Sequence, residues 1–147
     1  MDDLDVLLIE RACQRLQLRY AQHVDGGAAS RVGELFTEDG EFTFEGRPPV
    51  VGRDAVTASF LKRELQDRQS RHLITNQWID VIDQDTATGT CHWTVYNNDA
   101  WTDPLPMPLE GPMTIGQYDD DYCRTSEGWR TSSRRLSVVF RPITTET

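Results

Sequence analysis

Histidine is the side chain suited to moving protons near neutral pH, and His72 is the first candidate. It stands in Ser70-Arg71-His72-Leu73-Ile74-Thr75-Asn76, a stretch with the look of a strand. Strand alternation puts His72, Ile74, Asn76 and Trp78 on one face. That face mixes polar groups with an aromatic ring, which suits a pocket wall; the plainer reading is a satisfied core or edge histidine. Asp25 is the second residue of interest. It follows apolar Val24, precedes Gly26-Gly27, and closes a long helical pattern. A carboxylate at the negative end of a helix dipole is mildly unfavourable. Unless Asp25 is simply a solvent-facing acid, something else holds it there, and a histidine would suffice. A carboxylate that accepts from one ring nitrogen fixes the tautomer and frees the other nitrogen as a base.

Other chemistries lack their residues. His23, His72 and His92 are scattered and no HExxH occurs, so no metal is expected. Cys13, Cys91 and Cys123 are an odd number at wide spacing, which does not make a disulfide framework and fits a reducing cytoplasm. Asp119-Asp120-Asp121 lacks the glycine and terminal glutamate of a calcium loop and reads as a solvated charged stretch. Neither a glycine-rich phosphate loop nor a GxSxG elbow is present, so no nucleotide cofactor is expected. The formal net charge is −9, and the isoelectric point is near 4.7. Both argue against a nucleic-acid or anionic-membrane partner. No apolar run approaches a membrane span, and Val6-Leu7-Leu8-Ile9 follows acidic residues, unlike a secretory leader.

The elements that must position these residues follow from periodicity. Ile9, Cys13, Leu16, Tyr20 and Val24 recur at helical spacing and predict one apolar face of a long helix stopped by Gly26-Gly27. Ser30 predicts the cap of a short second helix running to Phe36. Glu38-Asp39-Gly40 reads as a turn before an alternating strand over 41–45. Asp54 is placed to cap a third helix that carries Val56, Phe60, Leu61 and Leu65 to the core. Strands are expected over 71–82 and 86–96. A proline-rich loop spans 98–112, and a hairpin joins 113–124 to 129–141 around Ser126-Glu127-Gly128. Segregated helices and mostly antiparallel strands mean one α+β domain, residues 1–147. Its expected shape is a conical barrel, three N-terminal helices packed on a curved sheet, with an open mouth for a small molecule.

The sequence resembles the SnoaL-like branch of the nuclear transport factor 2-like superfamily. The resemblance is carried by Tyr20-x4-Asp25, Leu35-Phe36-x2-Asp39-Gly40-Glu41-Phe42, Gly52, Arg71-His72-x3-Asn76, Gly116-x-Tyr118 and Gly128-Trp129-x4-Arg134. It covers about Leu4 to Phe140, and it implies the cystatin-like fold. Within the branch the chain is most similar to scytalone dehydratase and the hexachlorocyclohexane dehydrochlorinase. Both imply an Asp–His pair, whose roles fall on Asp25 and His72. The dehydrochlorinase's pocket arginine falls on Arg134; alternation allows only one of Arg134 and Arg135 to point inward. Its pocket lysine is replaced by Tyr20, a phenol that could bind a carbonyl or hydroxyl, or simply pack in the core. Tyr118 falls where the dehydratase places a pocket asparagine.

The resulting expectation is a cofactor-independent lyase or isomerase. His72 is its base, Asp25 the orienter, and Tyr20, Asn76, Tyr118 and Arg134 contact the substrate. Dehydration or a related elimination leads, with double-bond isomerisation next. The substrate is a small hydrophobic, cyclic or aromatic molecule, with Trp78, Trp93 and Trp101 as wall candidates; His92 is an ordinary strand residue. A homo-oligomer is expected, trimer before dimer. The rival readings are a non-catalytic β subunit of a ring-hydroxylating dioxygenase or a ligand-binding module, and then a polyketide cyclase.

Overall fold

The computed structural model describes residues 1–99, 103–109 and 111–143. Helix α1, Asp3–Asp25, starts from a reciprocal cap. The Asp2 carboxylate accepts from the Asp5 backbone at 2.8 Å, and the Asp5 carboxylate accepts from the Asp2 backbone at 3.0 Å. Its buried stripe is the expected one, widened by Gln17 and Ala21. It stops where Gly26 donates its amide to the Gln22 carbonyl at 2.9 Å and Gly27 turns to a φ of +76°. No helix among the described residues is long and apolar enough to cross a membrane.

The second helix, Ala29–Leu35, is a 3-10 helix, and Ser30 does not cap it. The amide and hydroxyl of Ser30 both donate to Glu64, at 2.8 and 2.5 Å. That bond ties the segment to the end of helix α2, Arg53–Glu64. Gly33 makes the approach to α2 possible, because a Cβ there would run into the Thr57 hydroxyl. Gly52 takes the N-cap position of α2 at a φ of +93°, and Asp54 lies inside the first turn instead. Val56 and Phe60 are buried, whereas Leu61 is 43% and Leu65 78% exposed. Only the residues four apart share the inner face; Leu61 is rotated off it and Leu65 lies beyond the last turn.

The sheet contains β1 (Phe36–Phe44), β2 (Val50–Val51), β3 (Arg68–Val81), β4 (Thr86–Asp99), β5 (Thr114–Thr125) and β6 (Gly128–Phe140). The strand order is β2-β1-β6-β5-β4-β3. Every pairing is antiparallel except β1 with β6. The α+β reading holds, but the order is linear, so the sheet is open and not a closed barrel. β2 and β3 remain as edges.

Two irregularities depart from the sequence expectation. Glu38-Asp39-Gly40 is not a turn but part of β1, and the register against β6 shifts between Phe36 and Glu41. The bulge absorbs the triplet without ending the strand. In β3 the register shifts between Thr75 and Trp78, and Asn76 takes a φ of +52°. Asparagine tolerates that left-handed conformation better than most residues. The extra residue reverses the alternation, so Gln77 and Ile79 turn inward while Asn76 and Trp78 face out. Trp78 is 65% exposed, and its indole N–H donates to Asp80 at 2.9 Å.

The core lies between α1, α2 and the sheet, and joins Cys13, Val32, Val56, Cys91, Trp93 and Tyr122 among others. The Trp93 ring packs close to Gly116, where a Cβ would clash with that ring and the Ser137 carbonyl. Gly116→Ala is therefore expected to cost about 1–3 kcal/mol, the usual range for overpacking. A urea titration of the purified variant reads it, and an unchanged midpoint would show that the strands give way freely.

Candidate functional site

The site begins where α1 ends. Tyr20 and Val24 occupy its last inward positions, and Asp25 follows beside the first residues of β3. One Asp25 carboxylate oxygen, Oδ2, accepts the His72 backbone amide at 2.6 Å. The other, Oδ1, lies 2.7 Å from His72 Nδ1 and accepts the Ser70 hydroxyl at 2.8 Å. The side chains are 14% and 13% exposed. Burial pushes the Asp25 carboxyl up, but hydrogen bonds from the His72 ring and backbone and from Ser70 outweigh it and hold the group below the usual carboxylate range. An ionised carboxylate only accepts, so the hydrogen of this contact lies on Nδ1, which leaves Nε2 as the other ring nitrogen. Because the folded pKa is depressed, the stabilisation from this pair is present above the unfolded carboxyl value near ~3.9. It is lost as pH falls through the lower folded value.

His72 lines a cavity of about 250 Å³. Tyr20, Phe60, Trp93, Tyr118 and Leu136 form much of its wall. Tyr20 lies in an aromatic cluster, with ring centroids 5.4 Å from Tyr118, 5.7 Å from Phe60 and 6.2 Å from His72. Burial pushes both phenols up, Tyr118 well above the ordinary tyrosine value. Both are therefore neutral hydrogen-bond donors at physiological pH. Tyr20 packs in the core and borders the cavity at once, so its two sequence readings are compatible.

Arg134 points inward and Arg135 outward, where it bonds Asp121 at 2.9 Å. Arg134 does not line the cavity, however. It is one layer deeper, with its guanidinium 4.6 Å from the Tyr20 ring centroid and 4.2 Å from that of Tyr118. Its Nε and Nη2 donate to the two oxygens of Asp120, each at 2.7 Å. The Tyr122 hydroxyl also donates to Asp120, at 2.7 Å. Asp120 is thus not part of a solvated stretch: it is 1% exposed. The reason is alternation, which puts it in phase with Tyr118 and Tyr122 on β5 and opposite Arg134 on β6.

Asn76 lies outside the cavity and exposed, displaced by the β3 bulge. Trp93 is in the wall; Trp78 is not, and Trp101 falls outside the described residues. His92 is an exposed strand position. Among the described residues, no group of three or more His, Cys, Asp or Glu is placed to hold a metal ion. The sequence reading missed Ser70 and the polar wall residues Ser59, Arg63, Arg68 and Asn97. Part of that signal was present. Ser70 is in phase with His72 on a strand, and Arg63 follows Ser59 by four and Phe60 by three on a helix.

Comparison with known proteins follows the same lines. A family model described as a SnoaL-like domain matches residues 5–135. Comparison with curated proteins gave no match. Among solved structures, the chain is similar to a candidate scytalone dehydratase from Novosphingobium aromaticivorans. Identity is 21% over 97% of this chain and 92% of that one, with a TM-score of 0.80. It is similar also to a hexachlorocyclohexane dehydrochlorinase, LinA type 2. There identity is 20%, coverage 95% and 90%, and the TM-score 0.77. An NTF2-like protein with a cystatin-like fold from N. aromaticivorans is 28% identical over 90% of this chain and 84% of that one, at a TM-score of 0.74. With the family model covering residues 5–135 and solved relatives sharing the architecture, the chain belongs to the SnoaL-like family of the NTF2-like superfamily.

Proposed function

We propose that the cavity is the active site of a cofactor-independent enzyme that removes a proton from carbon, with elimination as its main outcome. The observation that carries this reading is the His72 ring, held by Asp25 at 2.7 Å and set in the wall of a largely apolar cavity. Nε2 of His72 takes the proton from a substrate C–H bond, and Asp25 stabilises the imidazolium that forms. The electron pair of that bond becomes a carbon–carbon double bond as the leaving group departs from the neighbouring carbon. The neutral phenols of Tyr20 and Tyr118 donate to the oxygen on which charge develops. Arg134 acts through them, since a cation beneath both rings favours hydrogen-bond donation by the phenols. The similarity to proteins named as a dehydratase and a dehydrochlorinase supports elimination. Return of the proton to a different carbon would give isomerisation from the same groups. The substrate is a small molecule, since the cavity is smaller than the ~300–1,000 Å³ of drug-sized sites.

The test starts from deuterium exchange. Small cyclic and aromatic hydroxy and carbonyl compounds incubated with the protein in D2O are followed by NMR for loss of a C–H signal or appearance of an alkene. His72→Ala is expected to abolish the change with the fold intact by circular dichroism. Full activity of that variant would remove His72 as the base.

A homo-oligomer, trimer before dimer, is part of the same proposal. Leu73, Val139 and Phe140 are 46%, 60% and 63% exposed on the sheet, a surface suited to burial against a second copy. Light scattering is expected to give a mass near three chains, and a monomer at micromolar concentration would contradict it.

A further inference from the structure

Two arginines, Arg63 and Arg68, line the cavity, and their circumstances differ. Arg68 is committed: its Nε and Nη2 donate to the two oxygens of Asp99, at 2.5 and 3.1 Å. Arg63 stands near the end of α2 and is half-buried. Among the described residues, no carboxylate oxygen lies within 4.0 Å of its guanidinium nitrogens. Its Nη2 donates to the Ser70 hydroxyl oxygen at 3.0 Å, and Ser70 in turn donates to Asp25. Burial and the nearby charge of Arg68 both work against the Arg63 cation, and Asp25 and Asp99 offset this only in part. A guanidinium does not give up its proton near neutral pH. The imbalance is relieved by an anion. Most of the planar fork of Arg63 is still available to form a bidentate pair, the geometry arginine makes best with carboxylates. Arg134 cannot take this role, because Asp120 neutralises it beneath the tyrosines.

We propose that Arg63 is the anchor for a carboxylate on the substrate, so that the ligand of this cavity is a small cyclic or aromatic carboxylic acid bound as its anion. The proposal rests on the cavity being the active site, as proposed above. The ligand's carboxylate would pair with Arg63 beside Ser70. Its ring would lie against Phe60, Trp93 and Tyr118, within reach of His72. Arg63 is then a specificity residue and not the base.

Calorimetric titration of the purified protein at neutral pH and low salt tests this with two probes of one shape, benzoate and its uncharged counterpart benzamide. Benzoate is expected to bind about tenfold more tightly or better, as a charge-assisted pair would give. Arg63→Gln is expected to remove that preference by weakening benzoate about tenfold while changing benzamide by less than about threefold. Arg63→Lys, which keeps the charge and loses the fork, should retain part of it. His72→Ala should keep the preference for benzoate although it loses proton abstraction. Equal affinity for the two probes overturns the proposal, as does no benzoate binding up to about 10 mM. A preference that survives Arg63→Gln also overturns it, and would place the anion elsewhere, as in the groove of Arg15, Arg19 and Arg130. The wild-type comparison alone can overturn the proposal if the Gln variant does not fold. The carboxylate preference is read by binding and the dyad by deuterium exchange, so either can fail without the other.

Discussion

Asp25→Asn is expected to leave the fold intact and reduce turnover by about 10²–10⁴-fold. The geometry gives the reason. The His72 backbone amide needs an acceptor, and at 2.6 Å Oδ2 supplies it. The amide oxygen of an asparagine therefore takes that position, and its NH2 group takes the position of Oδ1, facing Nδ1 of the ring. A donor there makes Nδ1 the acceptor and moves the hydrogen to Nε2. The base would then meet its substrate already protonated. Two measurements check this. Steady-state rates on a substrate found by the exchange screen should fall, and ¹⁵N NMR of the labelled imidazole should show the tautomer reversed. A variant that works within threefold of the native protein would show that Asp25 is only structural, whatever its distance from the ring.

The second large effect concerns stability. Asp120→Ala leaves the guanidinium of Arg134 buried with no counter-charge, and is expected to cost about 3–5 kcal/mol. For a chain of this length that lowers Tm by roughly 10 °C or more. The Arg134 and Asp120 side chains are 2% and 0% exposed, so water cannot replace the lost partner. The double variant Arg134→Met with Asp120→Leu is the informative companion. Replacing both members of a buried pair by apolar groups is often neutral or stabilising, so the double variant should melt well above the single one. A single Asp120→Ala variant that melts with the native protein would mean that Arg134 finds another anion or reaches water. The double variant should also be catalytically impaired, because the cation beneath Tyr20 and Tyr118 is gone.

The positions of Asp25 and His72 were legible in the sequence for a physical reason, although their pairing came from the resemblance. Asp25 sits at a helix end marked by two glycines, and His72 sits at the start of a strand, and both features are written in local pattern. The long helix was legible for the same reason, since a 23-residue element repeats its apolar face many times. What failed depends on pairing between distant strands. The bulge at Asn76 is a property of two strands in register, and it turned a predicted wall residue to solvent. Alternation allowed only one of Arg134 and Arg135 to point inward, and the resemblance chose Arg134, which is the buried one. Its partner Asp120 is contributed by the neighbouring strand, where it looked like one of three exposed acids. A carboxylate in phase with Tyr118 and Tyr122 was nonetheless a sign that it had to be satisfied. Arg63 was missed because the third helix was read for its leucines, two of which turn outward, and not for the polar residues on the inner side.

The parallel pairing of β1 with β6 bears on how the protein is made. Phe44 is opposite Leu136, and the Glu45 carboxylate accepts from the Val138 backbone 93 residues further along the chain. Such contacts close a very long loop before they return any energy, and a fold dominated by them has a high contact order and folds slowly. The helix and strand that carry Asp25 and His72 leave the ribosome well before β6. During synthesis β1 therefore waits with its β6-facing edge unpaired. Leu136 and Val138, which finish the cavity wall, come with that last strand. The dyad belongs to the early part of the chain, and the chamber in which it would work is finished last.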